Sequence, residues 1–491
     1  MIKQLFILML LTSGGLAVTA GSPSSLDFRR QEGHRLIVVY NGKTCPVRAF
    51  ENIVYVSNPI DTAHEKMNIY VPEQYYHGEK INGYSAKTAP IFFYSRIAGY
   101  MPGEAPTIGG GWPGQKSDLS NLNDTPEHRN MVMAALTHGY VVAAPAARGR
   151  SSAEGKAPAA IVDLKAAVRY LRYNDKVLPG DANRIVSDGT SAGGAISALL
   201  GATGNSADYQ PYLDAIGAAP AKDDIFATQA YCPITNLEHA DAAYEWQFKG
   251  INTAMDRPHP GEKTGKQTHL SRAQILVSQN LAAQFPAYVN TLGLKNIRGQ
   301  DVRLNDDGTG TLVGWICHFI RESAQRELDK GNDLSQYSSW LEVKDGKVGE
   351  IKWDIYLQYL HRQKLPPAFD ALDLSAGENQ EMGTDKVDKR HFTAYSYAHS
   401  QVPDSEMADA LTVRLMNPMN YIGTPGATTS PHWRICHGTY DKDTSLAIPV
   451  ILGTYLMNHG YDVQLLLTWA QPHGGDYDSE ALFAWIDSLV K

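Results

Sequence analysis

The chain has 491 residues and a formal net charge of −8, spread without a long acidic block. This balance argues against nucleic acid or an anionic membrane surface as a partner, since both select for basic patches. Apolar residues make up 43% and charged residues 20%, as in an ordinary globular protein with a normal core. At roughly 150 residues per domain the length would allow about three domains. Two fit better, because single α/β catalytic domains often run larger.

The first residues read as an export signal. Lys3 supplies a positive charge, Leu5 to Leu11 form an apolar run, and Val18-Thr19-Ala20 ends it with small residues at cleavage-type positions. The run is too short and too broken by glycine for a spanning helix, and no later segment approaches ~20 unbroken apolar residues. No cysteine follows it, so no lipid anchor is expected. The expectation is a segment 1–20 removed near Ala20 and a soluble, secreted or periplasmic protein. Cys45, Cys232, Cys317 and Cys436 are far apart with no CxxC, which disfavours zinc or a redox dithiol. Disulfides and buried free thiols both remain open for them.

From residue 21 onward, strands and helices alternate. Met67 to Pro72, Pro90 to Tyr94 and Tyr140 to Pro145 read as strands. Ile161, Leu164, Val168 and Leu171 recur at helical spacing, and Arg184 to Asp188 follows as a strand. Runs apolar on both faces, separated by helices, indicate a parallel sheet covered on both sides. From about 235 to 408 this alternation fades into long helical stretches, Arg272 to Leu292 and Leu312 to Leu328, with polar loops such as Asn305 to Gly310. This part reads as one inserted, mainly helical domain. The first pattern resumes from 409: a strand Trp433 to Cys436, a helix Ser445 to Asn458, a strand Asp462 to Trp469 and a closing helix Ala481 to Val490. The catalytic domain is thus expected in two parts, 21–234 and 409–491, split by an insertion at 235–408. There are no internal repeats.

Gly189-Thr190-Ser191-Ala192-Gly193 matches G-x-S-x-G, directly after a strand and opening a small-residue helix. That is the setting of the nucleophile elbow of the α/β-hydrolase fold. The fold expected is a mostly parallel sheet flanked by helices, with a large lid inserted before the strand that carries the triad acid. In this class the acid and then the histidine follow the serine along the chain. Asp441, in a loop just past the strand from Trp433, and His473, in a loop past the next strand, fit those places. His473 is expected to take the proton of Ser191 and return it to the leaving alcohol, and Asp441 to hold the imidazole in its tautomer. His437 precedes the acid, in the wrong order, and His459 ends a helix beside Gly460 as a capping residue. The oxyanion hole needs two N–H donors, each worth roughly 3–4 kcal/mol. Ala192 supplies one. Gly99, in the loop after Pro90 to Tyr94, is the candidate for the other, though it also fits a plain loop glycine.

Several stretches in order resemble one family. They are Ile97 to Gly103, Gly189 to Gly194, Cys232 to Phe248, Pro367 to Asp370, His437 to Ser445 and Pro472 to Asp478. The chain resembles the bacterial tannases, α/β-hydrolases that cleave galloyl esters. The resemblance implies that Lys364, Glu378 and Asp443 contact the galloyl group, whose three adjacent hydroxyls suit two carboxylates as acceptors and an ammonium as donor. Lys364 and Glu378 lie in the insertion, which would then cap the site as a lid. Read alone, Lys364 would be a solvated helix-end lysine, Glu378 a surface acid and Asp443 an N-cap residue. Two departures stand out. The paired cysteines that fungal tannases carry beside the nucleophile and the histidine are absent. Ile97-Ala98-Gly99 also stands where a glycine pair is expected, which leaves the early-loop donor open. The Glu238 to Phe248 stretch is expected to be a structural hinge; His239 and Asp241 lack a third ligand at metal spacing. No metal and no cofactor are expected, and the partners expected are small-molecule galloyl esters and tannins.

The alternative activity is a feruloyl or simple aryl carboxylesterase on the same fold. A peptidase is disfavoured by the lack of a propeller or repeat domain. A non-catalytic binding protein is disfavoured by the intact Ser191, Asp441 and His473.

Overall fold

The computed structural model of the chain describes residues 25–109, 130–256 and 265–491. The leader expected at 1–20, with its cut near Ala20, lies outside the described residues. In chain order the strands are β1 (His34–Tyr40), β2 (Lys43–Val54), β3 (Lys66–Pro72), β4 (Pro90–Tyr94), β5 (Val141–Pro145), β6 (Asp181–Thr190) and β7 (Ala227–Tyr231). Two short pairs follow, β8 (Thr253–Met255) with β9 (Gln267–His269) and β10 (Leu341–Lys344) with β11 (Lys347–Ile351), then β12 (His432–Gly438) and β13 (Asp462–Thr468).

Nine of these form one sheet in the order β1-β2-β3-β5-β4-β6-β7-β12-β13. The first three junctions are antiparallel. From β5 to β13 every neighbour is parallel. Every residue of β4, β5 and β7 is buried, as a parallel sheet covered by helices on both faces requires. At the edge, β1 leaves Ile37 and Val39 exposed. The strands and helices read from the sequence are in place, and the architecture is that of an α/β-hydrolase.

β7 and β12 are neighbours in space although the whole middle of the chain separates them. Among the described residues, 235–408 give no strand to the large sheet; the four strands described there form two separate two-stranded sheets. The chain leaves β7 at the carboxyl edge of the parallel strands, where open α/β sheets place their ligands, and re-enters the sheet at the amino end of β12. Two features differ from the sequence reading. The middle region contains these small hairpins as well as helices. The stretch from Arg272 to Leu292 is also two helices, Arg272–Ala282 and Phe285–Thr291. Pro286 sits in the first turn of the second, where it lacks the N–H that a continuous helix would need.

Candidate active site

β6 delivers Ser191 at the top of the sheet. The serine sits at φ 63° and ψ −122°, immediately before the helix Ala192–Ala202. A non-glycine residue is strained in that conformation, and surrounding contacts must hold it. A Cβ on Gly189 would lie 2.3 Å from the Gly193 carbonyl oxygen, and one on Gly194 would lie 2.4 Å from that of Tyr231. Only glycine admits so sharp a turn here. The Ser191 N–H donates to the Tyr231 carbonyl at the end of β7 (3.0 Å), and the Gly193 N–H to the Ile97 carbonyl in the loop after β4 (2.9 Å).

His473 and Asp441 arrive from the loops after β13 and β12. The Nε2 of His473 lies 2.8 Å from the Ser191 hydroxyl, and its Nδ1 lies 2.8 Å from Asp441 Oδ2. The serine-to-histidine and histidine-to-acid hydrogen bonds are thus both formed. Burial alone would raise the Asp441 carboxyl. The imidazoles of His437 and His473, the hydrogen bond from His473 and the Asp443 N–H outweigh it and hold Asp441 down at about 2. Burial disfavours a charged His473, but the Asp441 carboxylate beside it outweighs burial and raises the imidazole above its ordinary value. The Asp443 N–H reaches Asp441 Oδ1 at 2.8 Å.

Ala192 opens its helix, so its N–H has no acceptor within the helix. Gly99 is exposed at φ 54°, and its carbonyl accepts from Arg150 Nε at 2.6 Å. The residue of its loop that touches the elbow is Ile97, two positions earlier.

Lys364 and Asp443 line the same cavity of about 500 Å³, with Gln363, Pro367, Ser375 and Ala376 also in its wall. Lys364 Nζ lies 4.0 Å above the Phe369 ring. Asp443 is nearly buried; Gln363 Nε2 donates to its Oδ1 (3.2 Å), and its Oδ2 lies 3.8 Å from His473 Nδ1. Glu378 is half-buried in the first turn of the short helix Gly377–Glu381, just past Ser375 and Ala376. It is not among the residues lining the cavity. Lys364 and Asp443 are therefore brought together in one cavity, which meets the triad through the approach of Asp443 to His473, and the helix of Glu378 follows directly on the wall residues Ser375 and Ala376.

A family model described as BD-FAE matches residues 107–257. Comparison with curated protein sequences gives no match. Among solved structures, the Fusobacterium nucleatum tannase is 45% identical with a TM-score of 0.86, over 95% of this chain and 100% of that one. A tannase from Lactobacillus plantarum is 42% identical with a TM-score of 0.87, over 94% and 98%. A tannin acyl hydrolase in complex with ethyl gallate is 42% identical with a TM-score of 0.86, over 94% and 97%. The chain belongs to the tannase family of α/β-hydrolases.

Within this tannase framework, several residues that the sequence left without a role hold the site together. Tyr244 takes the N–H groups of Gln363 and Lys364 on its hydroxyl (3.0 Å each) and donates to the Lys442 carbonyl (3.1 Å). Glu245 pairs with Arg362 at 2.6 Å, both fully buried, and Arg362 Nε reaches the Lys364 carbonyl at 3.0 Å. Asp241 accepts the N–H groups of Phe369 and Asp370. Asp370 in turn binds Asn379, His391, Phe392 and Thr393, which fixes the helix carrying Glu378. His239 stacks on Tyr288 with ring centroids 3.5 Å apart, and burial holds it down at about 4. His239 and Asp241 are therefore engaged in packing and backbone capping, each with protein partners of its own.

Cys232 donates to the Gly474 carbonyl (3.3 Å), with Sγ 3.9 Å from His473 Nε2. All four thiols are unpaired and buried. His437 is fully buried behind the acid, with Nε2 3.7 Å from Asp441 Oδ2 and neither ring nitrogen hydrogen-bonded. His459 ends its helix with Nδ1 2.8 Å from the Tyr455 carbonyl, as its capping position suggests.

Proposed function

We propose that this chain is a serine esterase that hydrolyses galloyl esters, of simple alcohols and of hydrolysable tannins, to gallic acid. The observation that carries the reading is the juxtaposition of the Ser191–His473–Asp441 chain with a cavity walled by Lys364 and Asp443. Support comes from a 42% identical protein that carries ethyl gallate. Ser191 Oγ attacks the ester carbonyl while His473 takes its proton, and the N–H groups of Ala192 and Gly99 receive the charge on the carbonyl oxygen. The alcohol leaves with the proton from His473, and the galloyl group remains on Ser191. Water, deprotonated by His473, then releases gallic acid. Lys364 donates to a ring hydroxyl oxygen, while Asp443 and Glu378 accept from ring hydroxyls. Residues 235–408 form the lid over that ring, and the parts 21–234 and 409–491 form the catalytic domain.

The shared intermediate can be tested by adding an alcohol acceptor. Methyl gallate and ethyl gallate should give the same ratio of new ester to gallic acid, because both pass through one galloyl-enzyme. Ser191→Ala should remove both products. Ratios that depend on the original alcohol would rule out the acyl-enzyme. We also propose that the protein acts outside the cytoplasm, on the strength of the leader-like segment ending at Ala20. Mass analysis of protein recovered from its source should find the chain starting just after Ala20; a retained Met1 segment would refute export by this route.

A further inference from the structure

The loop after β4 holds a turn that its own residues do not secure. Gly99 and Tyr100 stand side by side in the left-handed region, at φ 54° and 56°. Gly99 is exposed, with nothing within 4 Å of where a Cβ would stand. A tyrosine in that region persists only where its surroundings hold it. Both carbonyls of the turn are taken by one residue. Arg150 Nε donates to the Gly99 carbonyl (2.6 Å), and the Arg150 N–H donates to the Tyr100 carbonyl (2.8 Å).

The other arm of the guanidinium reaches residues 235–408. Arg150 Nη1 donates to Gln380 Oε1 (2.5 Å), in the short helix Gly377–Glu381 that carries Glu378. The guanidinium also lies against Gly377, where a Cβ would stand 3.0 Å from its Cζ. Gly99 and Gln380 both offer neutral oxygens, so these two bonds neutralise no carboxylate. They fix a spacing instead, as a rigid planar fork with donors on two sides can do. The chain behind the fork is tied to the same helix. Lys156 Nζ donates to the Arg150 carbonyl (2.7 Å) and to Asp388 Oδ1 (2.6 Å). Gln380 Nε2 donates to both oxygens of Asp388 (3.2 Å each), and the Ala157 N–H to the Glu381 carbonyl (2.8 Å).

We propose that Arg150 is a positioning residue for the reaction, which holds the Gly99 turn and the helix of Glu378 at one fixed separation. The proposal rests on the reading that the Gly99 N–H receives the carbonyl charge and that Glu378 accepts from a ring hydroxyl. One side chain then aligns the group that reads the ring with the group that stabilises the transition state. Arg150 acts through these two elements and takes no part in proton transfer. Its two arms have separate consequences. The arm on Gly99 serves every ester, through kcat. The arm on Gln380 serves only esters with ring hydroxyls, through KM.

The test measures kcat and KM on methyl gallate and on an acetate ester of nitrophenol, for the unaltered protein, Arg150→Ala and Gln380→Met. Arg150→Ala should lower kcat about 10- to 100-fold on both esters, the scale of a misplaced reacting group, and raise KM for methyl gallate about three- to tenfold. Gln380→Met should raise KM for methyl gallate by a similar factor and leave the acetate rate unchanged. If Arg150→Ala does not fold, Arg150→Lys takes its place. It keeps the charge but cannot hold two acceptors in a fixed fork, and should lower kcat on the acetate about three- to tenfold. An acetate kcat unchanged in the Arg150 variant would overturn the proposal. So would a Gln380→Met protein that alters both esters alike or neither. Failure of the galloyl reading is seen separately, in an unaltered protein that cleaves methyl benzoate as well as methyl gallate.

Discussion

Replacing Tyr244 with phenylalanine removes one oxygen from the junction of the Gln363-Lys364 segment, the acid loop and the helix Leu237–Gln247. A phenol hydroxyl offers two lone pairs and one proton, and Tyr244 uses all three, for the Gln363 N–H, the Lys364 N–H and the Lys442 carbonyl. Each such bond contributes about 1 kcal/mol net, and a buried donor left without a partner costs ~1–3 kcal/mol. Gln363 and Lys364 are only half-buried, so water would recover part of the loss, and about 2–3 kcal/mol is a fair total. If about half of that falls on holding Lys364 in place for substrate, KM for methyl gallate should rise about tenfold. The proton-transfer groups are untouched, so kcat should stay within about threefold. Initial rates on methyl gallate and on an acetate ester of nitrophenol, which has no ring hydroxyls to read, separate the two effects. The acetate should be cleaved as before. An unchanged KM for methyl gallate, or an equal loss on both esters, would refute the idea that Tyr244 acts by positioning Lys364.

Other consequences are as direct. His473 must be neutral to act as base, and Asp441 raises its pKa above the ordinary 6.5, so kcat/KM should rise with pH through a midpoint above 6.5. In Asp441→Asn that midpoint should fall and kcat should drop about 10⁴-fold; a midpoint unmoved by the substitution would contradict the assignment. Glu245→Ala leaves the fully buried Arg362 unpaired and should cost ~3–5 kcal/mol in chemical denaturation. Glu245→Leu combined with Arg362→Met should recover most of that, and a double variant no more stable than the single would show that the pair does more than neutralise itself. Lys364→Met removes the ammonium that stands over Phe369 in the cavity wall. It should raise KM for methyl gallate by at least about tenfold, a charge-assisted bond being worth ~1.5–3 kcal/mol, and leave the nitrophenyl acetate rate alone.

The sheet was legible because its strands are short and apolar on both faces, so β4 and β5 could be placed to within a residue from their apolar runs alone. The order of Ser191, Asp441 and His473 followed from topology, since each closes a strand at the same sheet edge. What the sequence did not reveal is tertiary. Nothing near Glu245 announces that Arg362, far along the chain, will be its buried partner. Asp370 looks like one acid in a short motif, yet its carboxylate gathers backbone and side chains from two segments further along the chain, Asn379 and His391 to Thr393. The break in the Arg272 to Leu292 stretch was signalled by Pro286, but the apolar spacing on either side masked it. The small β10–β11 hairpin turns at Asp345-Gly346, a pair suited to positive φ, and this local signal was the one most open to reading.

The most direct test of the hydroxyl-reading site is kcat/KM on methyl gallate against methyl benzoate, with Ser191→Ala as the blank. A pocket whose polar groups expect ring hydroxyls should favour the gallate by roughly 10⁴-fold or more, because the benzoate leaves those groups unpaired. Comparable rates on the two esters, both lost in Ser191→Ala, would leave a general esterase and contradict the galloyl assignment of Lys364, Glu378 and Asp443.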